Sequence, residues 1–146
     1  MADSLPVDSS LFFKLVRVVN LTARPFSETV GKHNELTLNE WRAMVVLASH
    51  PGVAASDIAE ATGLDKMAVS RAIAGLDRAG RLRREPDPGD QRRSLLFLSP
   101  QGQRLFAKVG RTAKRREAEL FSALGVAEAE QLNAALDKLL AGLRAR

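Results

Sequence analysis

Two glycines divide the middle of the chain and constrain its fold more than any other feature. Gly63 separates a short apolar segment at residues 55–62 from a second one at residues 66–79, which ends at Gly80. Both segments have helical spacing, and Asp65 can cap the second. Because glycine suits a left-handed helix end or a tight turn, the pattern predicts two helices joined by a tight turn.

Two short runs, "RLRRE" and "RSLLFL", follow on either side of a charged Pro/Gly turn. They predict a β-hairpin with a long loop, in which Leu82 faces inward. A helix, a turn, a second helix and then a basic hairpin are typical of a winged helix-turn-helix. In that fold the start of the second helix meets base edges in the major groove.

Two more helices precede this unit. Apolar residues recur at helical spacing over residues 10–32, and Pro25 should kink the helix that they predict. Thr37 and Glu40 then fit a capping box for a helix that runs to about Ser49. Each of these helices has an apolar side that needs a partner.

Two helices also follow the hairpin. Ser99 and Pro100 fit a helix start, and that helix should reach about Ala123. A last helix has Ala127 where a Ser or Thr cap would be expected, and it carries Leu132, Leu136, Leu139, Leu140 and Leu143. The fold class is therefore mainly α with a small β-hairpin wing. We expect an N-terminal arm and helix at 1–34, the winged helix-turn-helix at 35–99 and C-terminal helices at 100–146.

Composition narrows the possible functions. The chain has 146 residues, no cysteine and two histidines, His33 and His50, so thiol chemistry is excluded and a metal site lacks its usual ligands. It also lacks a clustered nucleophile–base pair and a glycine-rich phosphate loop, so we expect no enzyme and no cofactor. With no long apolar run and an acidic start, "MADSLPVDSS", the chain is expected to be cytoplasmic.

Charge is concentrated in the middle of the chain. Residues 65–116 carry fourteen Lys/Arg against five Asp/Glu, a net charge of +9. The net charge of the whole chain is only +5, because the flanking parts are acidic. Such a distribution favours a polyanionic partner, although solvated helices can look similar.

The residue types at the start of the second helix suit contact with DNA. Arg71 could bind a guanine, Met67 or Ala68 could meet a thymine methyl group, and Lys66 and Ser70 could hold phosphates. On the hairpin, Arg92 could enter a minor groove, with its guanidinium oriented by Asp90. The predicted DNA-binding residues are Lys66, Met67, Ala68, Ser70, Arg71, Arg83, Arg84, Asp90, Arg92 and Arg93, of which Arg83, Arg84 and Arg93 would contact phosphates.

Two other interpretations stay open. The charged turn could be a solvated surface hairpin, and the polar face of the second helix could be solvated in the same way. Alternatively, the chain could be a winged-helix protein-interaction module without sequence-specific DNA binding, since that fold also serves as a scaffold. Such a module would not require Arg92 or the exposed basic start of the helix.

The stretches "LTLNEWRAMVVL" and "SDIAEATGLDKMAVSRAIAGLDRAGRLRREPDPGDQRRSLLFLSPQG" resemble the multiple antibiotic resistance regulator (MarR) family. The most specific part is Asp90-Gln91-Arg92, followed by an apolar strand and Ser99-Pro-x-Gly102. The resemblance implies a cytoplasmic homodimer that binds a pseudo-palindromic operator in double-stranded DNA and regulates transcription. Most members are repressors that a small, often aromatic or anionic, molecule relieves; others activate or respond to no known ligand.

The spacing of apolar residues predicts exposed apolar stripes on the terminal helices. These stripes would be buried in such a dimer or, alternatively, in an intramolecular three-helix layer. By resemblance, Phe12, Phe13, Arg17, Trp41 and Met44 are candidates for binding the effector, although Trp41 and Met44 also fit a core. Without cysteine the chain departs from the peroxide-sensing branch. Its N-terminal arm is too short for the extra helix of the urate-responsive branch.

Overall fold

A computed structural model describes residues 6–144. Over these residues the chain is mainly helical and contains one two-stranded antiparallel sheet, as the sequence predicts. The elements are α1 (Leu11–Phe26), a π-turn (Ser27–Gly31), α2 (Leu38–Ser49), α3 (Ala55–Thr62), α4 (Lys66–Arg78), β1 (Leu82–Asp87), β2 (Asp90–Leu98), α5 (Pro100–Phe121) and α6 (Val126–Arg144).

The first predicted helix is present but changes type near its end. Ser10 caps α1, with its Oγ accepting a hydrogen bond from the Phe13 N–H at 3.3 Å. Pro25 lies inside the last turn, and a π-turn over Ser27–Gly31 follows at once. Proline removes a backbone donor from the helical ladder, which accounts for a local change of helix type here.

The capping box at the start of α2 is confirmed. The Thr37 N–H donates to Glu40 Oε1 at 2.9 Å, and the Glu40 N–H donates to Thr37 Oγ1 at 3.1 Å. Trp41 follows inside the helix and is buried. Its ring stacks on Phe106 with 5.1 Å between centroids and lies 6.2 Å from Phe26. This aromatic cluster joins α1, α2 and the start of α5.

The two helices of the predicted helix-turn-helix have the expected bounds and turn. Gly63 has φ of +75°, the left-handed conformation that glycine adopts without strain. Asp65 caps α4 by accepting a hydrogen bond from the Ala68 N–H at 2.8 Å. The inner face of α4 is buried, and it consists of Val69, Ala72, Ile73 and Leu76. These are the residues that the helical spacing predicts for that face.

The hairpin differs from the prediction in its turn. We expected a long loop, but only Pro88 and Gly89 separate β1 from β2. Asp87 explains the tight turn, because its Oδ1 accepts a hydrogen bond from the Gly89 N–H at 2.9 Å. The strands extend into the charged stretch as far as Asp87 and Asp90, but the register shifts between Pro86 and Asp87, so residues 91–93 of β2 have no partner in β1.

The base of the hairpin is attached to the rest of the fold by backbone hydrogen bonds. The Leu96 N–H donates to the Val53 carbonyl at 2.8 Å, and the Gly52 N–H donates to the Leu96 carbonyl at 2.9 Å. This short bridge places the C-terminal end of β2 beside the segment that enters α3. The position of the wing relative to α3 is therefore fixed at its base.

Ser99 caps α5, as predicted. Its Oγ accepts a hydrogen bond from the Gly102 N–H at 3.0 Å and donates one to the Gly80 carbonyl at 2.7 Å. Gly102 lies against the Arg81 carbonyl, and a Cβ on Gly102 would be only 2.2 Å from that oxygen. The Ser99-Pro-x-Gly102 pattern thus joins the end of the hairpin to the start of the next helix.

Two compact units make up the chain, Met1–Phe106 and Ala107–Arg146. The predicted boundaries at 34/35 and 99/100 do not coincide with this division, and the three roles assigned to those parts stay predictions. In the second unit α6 begins at Val126, and the Gly125 N–H donates to Glu128 Oε1 at 2.9 Å. The helix therefore starts before Ala127, so the sequence placed its cap two residues late.

Within residues 6–144, no helix is long and apolar enough to cross a bilayer. The same residues contain no group of three or more His, Cys, Asp or Glu side chains that could hold a metal ion.

Candidate nucleic-acid interface

The start of α4 presents four of the five predicted DNA-contacting side chains to solvent. Lys66, Met67, Ser70 and Arg71 are exposed, whereas Ala68 is half-buried. Met67 is a large apolar side chain with 61% of its surface exposed. The opposite face of α4 packs into the core, so the polar face is held outward by the burial of the apolar one.

A groove of about 600 Å³ runs beside this surface, between α3, α4 and β1. Its apolar floor is formed by small or branched side chains, and Lys66 and Arg84 place cationic groups in its lining. Two hydroxyl groups, from Ser56 and Ser70, complete the polar part. The groove therefore brings the start of α4 and the first wing strand to one surface.

The two neighbouring arginines of β1 lie on different faces of the hairpin. Successive side chains of a strand point in opposite directions. Arg84 lines the groove with α3 and α4, whereas Arg83 lies over the Phe97 ring, 4.2 Å from its centroid, and pairs with Glu85. Of the two, only Arg84 shares a surface with the start of α4, and the predicted phosphate contacts of both arginines stay predictions.

Arg84 and Arg93 are partly neutralised by acids of the helices. Arg84 Nε lies 3.4 Å from Asp77 Oδ2 at the end of α4. Arg93 NH2 lies 2.8 Å from Asp57 Oδ2 in α3, and its Nε lies 3.7 Å from Asp87 Oδ2 in the hairpin. Both arginines therefore connect the wing to the helix-turn-helix, a role that the sequence did not suggest.

Arg92 differs from its two neighbours. Among the described residues its guanidinium has no hydrogen bond or ion pair, and its side chain is exposed. Asp90 Oδ1 accepts a hydrogen bond from the backbone N–H of Arg92 at 3.0 Å. We expected Asp90 to orient the guanidinium; it shapes the turn instead and leaves the guanidinium free.

Three arginines converge beside the start of α3. Arg84, Arg92 and Arg93 line a notch of about 260 Å³, and the hydroxyl-bearing residues Ser56 and Ser94 line it as well. Guanidinium groups and hydroxyls are the usual partners of phosphate oxygens in protein–DNA complexes. The notch and the exposed start of α4 therefore form one candidate surface for a nucleic-acid backbone and its bases.

Two residues that hold the elements around this surface in place were missed in the sequence. Asp57 accepts a hydrogen bond from the Ala54 N–H at 2.9 Å and pairs with Arg93 as well. Arg81 donates to the carbonyl groups of Asn34 and Glu35, at 2.6 and 3.0 Å. The only sequence signal for Asp57 was its position three residues after Ala54, where a helix cap is expected.

The five candidate effector residues do not come together in the single chain. Met44 has no exposed surface and Trp41 is 9% exposed, so both belong to the core. Phe12, Phe13 and Arg17 are exposed on α1. The two phenylalanine rings contact each other, with 6.4 Å between centroids, whereas Trp41 contacts Phe26 and Phe106.

A helix-turn-helix whose second helix is followed directly by an antiparallel hairpin defines a winged helix-turn-helix protein. Residues 35–93, from just before α2 to the wing, match the sequence model of the MarR family. The chain is 26% identical over 129 residues to a putative transcriptional regulatory protein for the hcr operon of Thauera aromatica. That match covers 88% of this chain and 78% of the relative.

Solved structures have the same fold. A MarR/EmrR family transcriptional regulator from Acinetobacter sp. ADP1 is 25% identical with a TM-score of 0.83, covering 97% of this chain and 100% of the other. A mutant MarR from E. coli complexed with operator DNA is 19% identical with a TM-score of 0.77, covering 94% and 99%. The MarR-family match over residues 35–93 and the MarR-family structures with the same fold agree with the family resemblance seen in the sequence. These proteins are regulators and not enzymes.

Proposed function

We propose that this protein is a cytoplasmic homodimer that binds a pseudo-palindromic operator in double-stranded DNA and represses transcription until a small aromatic or anionic ligand relieves it. One observation carries the proposal. The groove beside the start of α4 and the arginine-lined notch of the wing adjoin each other, because Ser56, Ile73 and Arg84 line both. In a winged helix-turn-helix, the second helix contacts bases in the major groove, and the wing beside it contacts the backbone or the minor groove.

The surface assigns different tasks to its residues. Arg71 and Met67 meet base edges in the major groove, and Lys66 and Ser70 hold phosphates. Arg92 enters the neighbouring minor groove, because its guanidinium is unpaired and the negative potential of a narrow groove attracts arginine. Arg84 faces the backbone from the groove. Arg93 contributes less to direct contact, since two carboxylates already surround it.

Exposed apolar residues on the terminal helices support the homodimer. On α1 they are Leu11, Phe12, Phe13, Leu15, Val16, Val18, Val19 and Leu21, and on α6 they are Val126, Leu136, Leu139, Leu140 and Leu143. The four leucines of α6 follow the spacing i, i+3, i+4, i+7, which places them on one face. Large exposed patches of this kind mark association surfaces in soluble proteins.

The groove between α3, α4 and β1 supports the ligand part of the proposal. Its volume of about 600 Å³ is in the range of small-molecule sites, and it combines an apolar floor with two cationic side chains. An aromatic carboxylate fits this chemistry. A ligand there would occupy the surface that we assign to DNA, so binding of the two would be competitive.

Selection from a pool of random duplexes tests the proposal directly. We expect a single enriched site with approximate two-fold symmetry and half-sites about one helical turn apart. Recovery of unenriched duplexes would support the alternative function, a winged-helix protein-interaction module. For the ligand, a thermal-shift series with aromatic acids should raise the melting temperature, and a bound acid should displace the selected duplex.

A further inference from the structure

Helix α4 and the wing account for only part of the positive charge in the middle of the chain. Helix α5 carries four more exposed cations in the second compact unit, namely Lys108, Arg111, Lys114 and Arg115. We call these four residues the α5 stripe. The proposed DNA surface of α4 and the wing includes none of them.

Helical geometry places the four cations on one side of α5. At about 100° per residue they fall within an arc of roughly 120°. The other α5 residues of the second unit on that arc are Ala107 and Ala118, and the large apolar residues Val109 and Leu120 lie on a different face. Within its arc the α5 stripe therefore presents only cations and alanines, and Glu119 and Phe121 lie about 20° beyond its two edges.

No acid of the described chain neutralises the α5 stripe. Within residues 6–144, none of its four side chains has a hydrogen bond or an ion pair. Arg111 has like charges at i−3, i+3 and i+4, and each such pair on a helix destabilises it by about 0.2–0.5 kcal/mol. The arrangement costs stability in the free protein, which a polyanionic partner would recover.

We propose that the α5 stripe is a second DNA-contacting surface, which binds the phosphodiester backbone and reads no sequence. An arc that carries four cations and otherwise only alanines favours DNA over a protein partner, because protein interfaces centre on aromatic and large apolar residues. Neighbouring stripe residues three or four positions apart are separated by about 4.5–6 Å along the helix axis, at the usual rise of about 1.5 Å per residue, which is suited to neighbouring phosphates. This inference rests on the proposed DNA-binding function.

The test compares three proteins: wild type, a stripe variant with K108Q, R111Q and R115Q, and a control variant with R24Q, K32Q and K138Q. The control removes the same charge from exposed positions outside the stripe. Each is titrated by fluorescence anisotropy against a selected operator extended by about one helical turn on both sides, and against a scrambled duplex of equal length. The titrations are repeated over a salt series, and light scattering verifies that all three have the same oligomeric state.

We expect the stripe variant to bind both duplexes about tenfold more weakly at low salt. The plot of log K against log salt should be flatter by about 0.9 for each phosphate that the variant does not bind. The ratio of operator to scrambled affinity should stay within about twofold of wild type, because backbone contacts carry no sequence information. The control variant should change neither quantity by a comparable amount.

Three results would overturn the proposal. If the stripe variant gave the same slope of log K against log salt as wild type on both duplexes, the stripe would not bind DNA. Its partner would then be an acidic protein, or solvent alone. Equal changes in the stripe and control variants would indicate a general effect of net charge. A selective loss of operator affinity would make the stripe a specificity element. Failure of the proposed function has a different signature, namely no preference of wild type for the operator over the scrambled duplex.

Discussion

Arg93 in the wing and Asp57 in α3 form an ion pair with 2.8 Å between NH2 and Oδ2. Asp57 also accepts the Ala54 N–H at the start of α3, and Arg93 also faces Asp87 in the hairpin. The pair therefore connects a helix terminus to the wing. With each side chain a little over 40% exposed, we expect only a small contribution to global stability, in the range of about 0–1 kcal/mol.

The first prediction concerns this pair. If Arg93 positions the wing, D57N and R93Q should each weaken operator binding. The double variant should bind the operator no more weakly than the single variant with the lower affinity. The salt slope should stay unchanged, because the number of bound phosphates is the same. Asparagine at position 57 can still accept the Ala54 N–H. E60Q, which removes an exposed acid from the same helix, is the matched control.

Direct phosphate binding by Arg93 predicts the reverse pattern. R93Q would then flatten the salt slope by about 0.9, the value for one phosphate, and D57N would strengthen binding by freeing the guanidinium. Anisotropy over a salt series separates the two patterns.

A second prediction concerns Gly102. A Cβ there would lie 2.2 Å from the Arg81 carbonyl oxygen, a backbone atom that cannot rotate away. We expect G102A to lower the free energy of unfolding by about 1–3 kcal/mol, in spite of the better helix propensity of alanine. G142A in α6 is the control, because a Cβ there meets nothing within 4 Å and should stabilise by about 0.5–1 kcal/mol. Equal effects in chemical denaturation would contradict the account.

A third prediction concerns Arg81. Its guanidinium donates to two carbonyl groups, those of Asn34 and Glu35, and so ties the loop before α2 to the base of the hairpin. Hydrogen bonds from charged donors contribute about 1.5–3 kcal/mol, and Arg81 is half-buried, so R81A should lower the unfolding free energy by roughly 2 kcal/mol. R78A, at an exposed position without a hydrogen bond or ion pair in the described residues, should change it by less than about 0.5 kcal/mol.

A fourth prediction concerns the dimer. Leu139 and Leu143 are 55% and 63% exposed in the single chain, so replacing them should not disturb its core. We expect L139Q with L143Q to shift the protein from dimer to monomer in light scattering at micromolar concentration. V45Q replaces an exposed apolar residue of α2 and should leave the dimer intact. A dimer that survives the double substitution would show that α6 is not part of its interface.

Local signals in the sequence predicted the helices well. The Thr37–Glu40 capping box, the cap by Ser99 and the left-handed Gly63 all depend on neighbouring residues only, and all are present. The tight hairpin turn was missed because it depends on how the Asp87 carboxylate bonds to the backbone. The contrasting roles of Arg83, Arg84 and Arg93 could not be predicted, because each is set by an acid or ring distant in sequence or by the pleat of the strand.

The candidate site was predicted in part. The exposed face of α4 follows from helical periodicity, so Lys66, Met67, Ser70 and Arg71 lie where the sequence places them. Periodicity cannot tell whether Trp41 and Met44 reach a cavity or a core. The stacking of Trp41 on Phe106, sixty-five positions later in the chain, places it in the core.

The most direct test of the central claim is the binding of wild type and R92A to a selected operator and to a scrambled duplex across a salt series. Arg92 has the one unpaired guanidinium among the three arginines of the notch, within the residues that the structure describes. We predict that wild type binds the operator at least about 10³-fold more tightly than the scrambled duplex, and that R92A reduces this ratio. Equal binding of both duplexes by wild type, with no effect of R92A, would contradict the account.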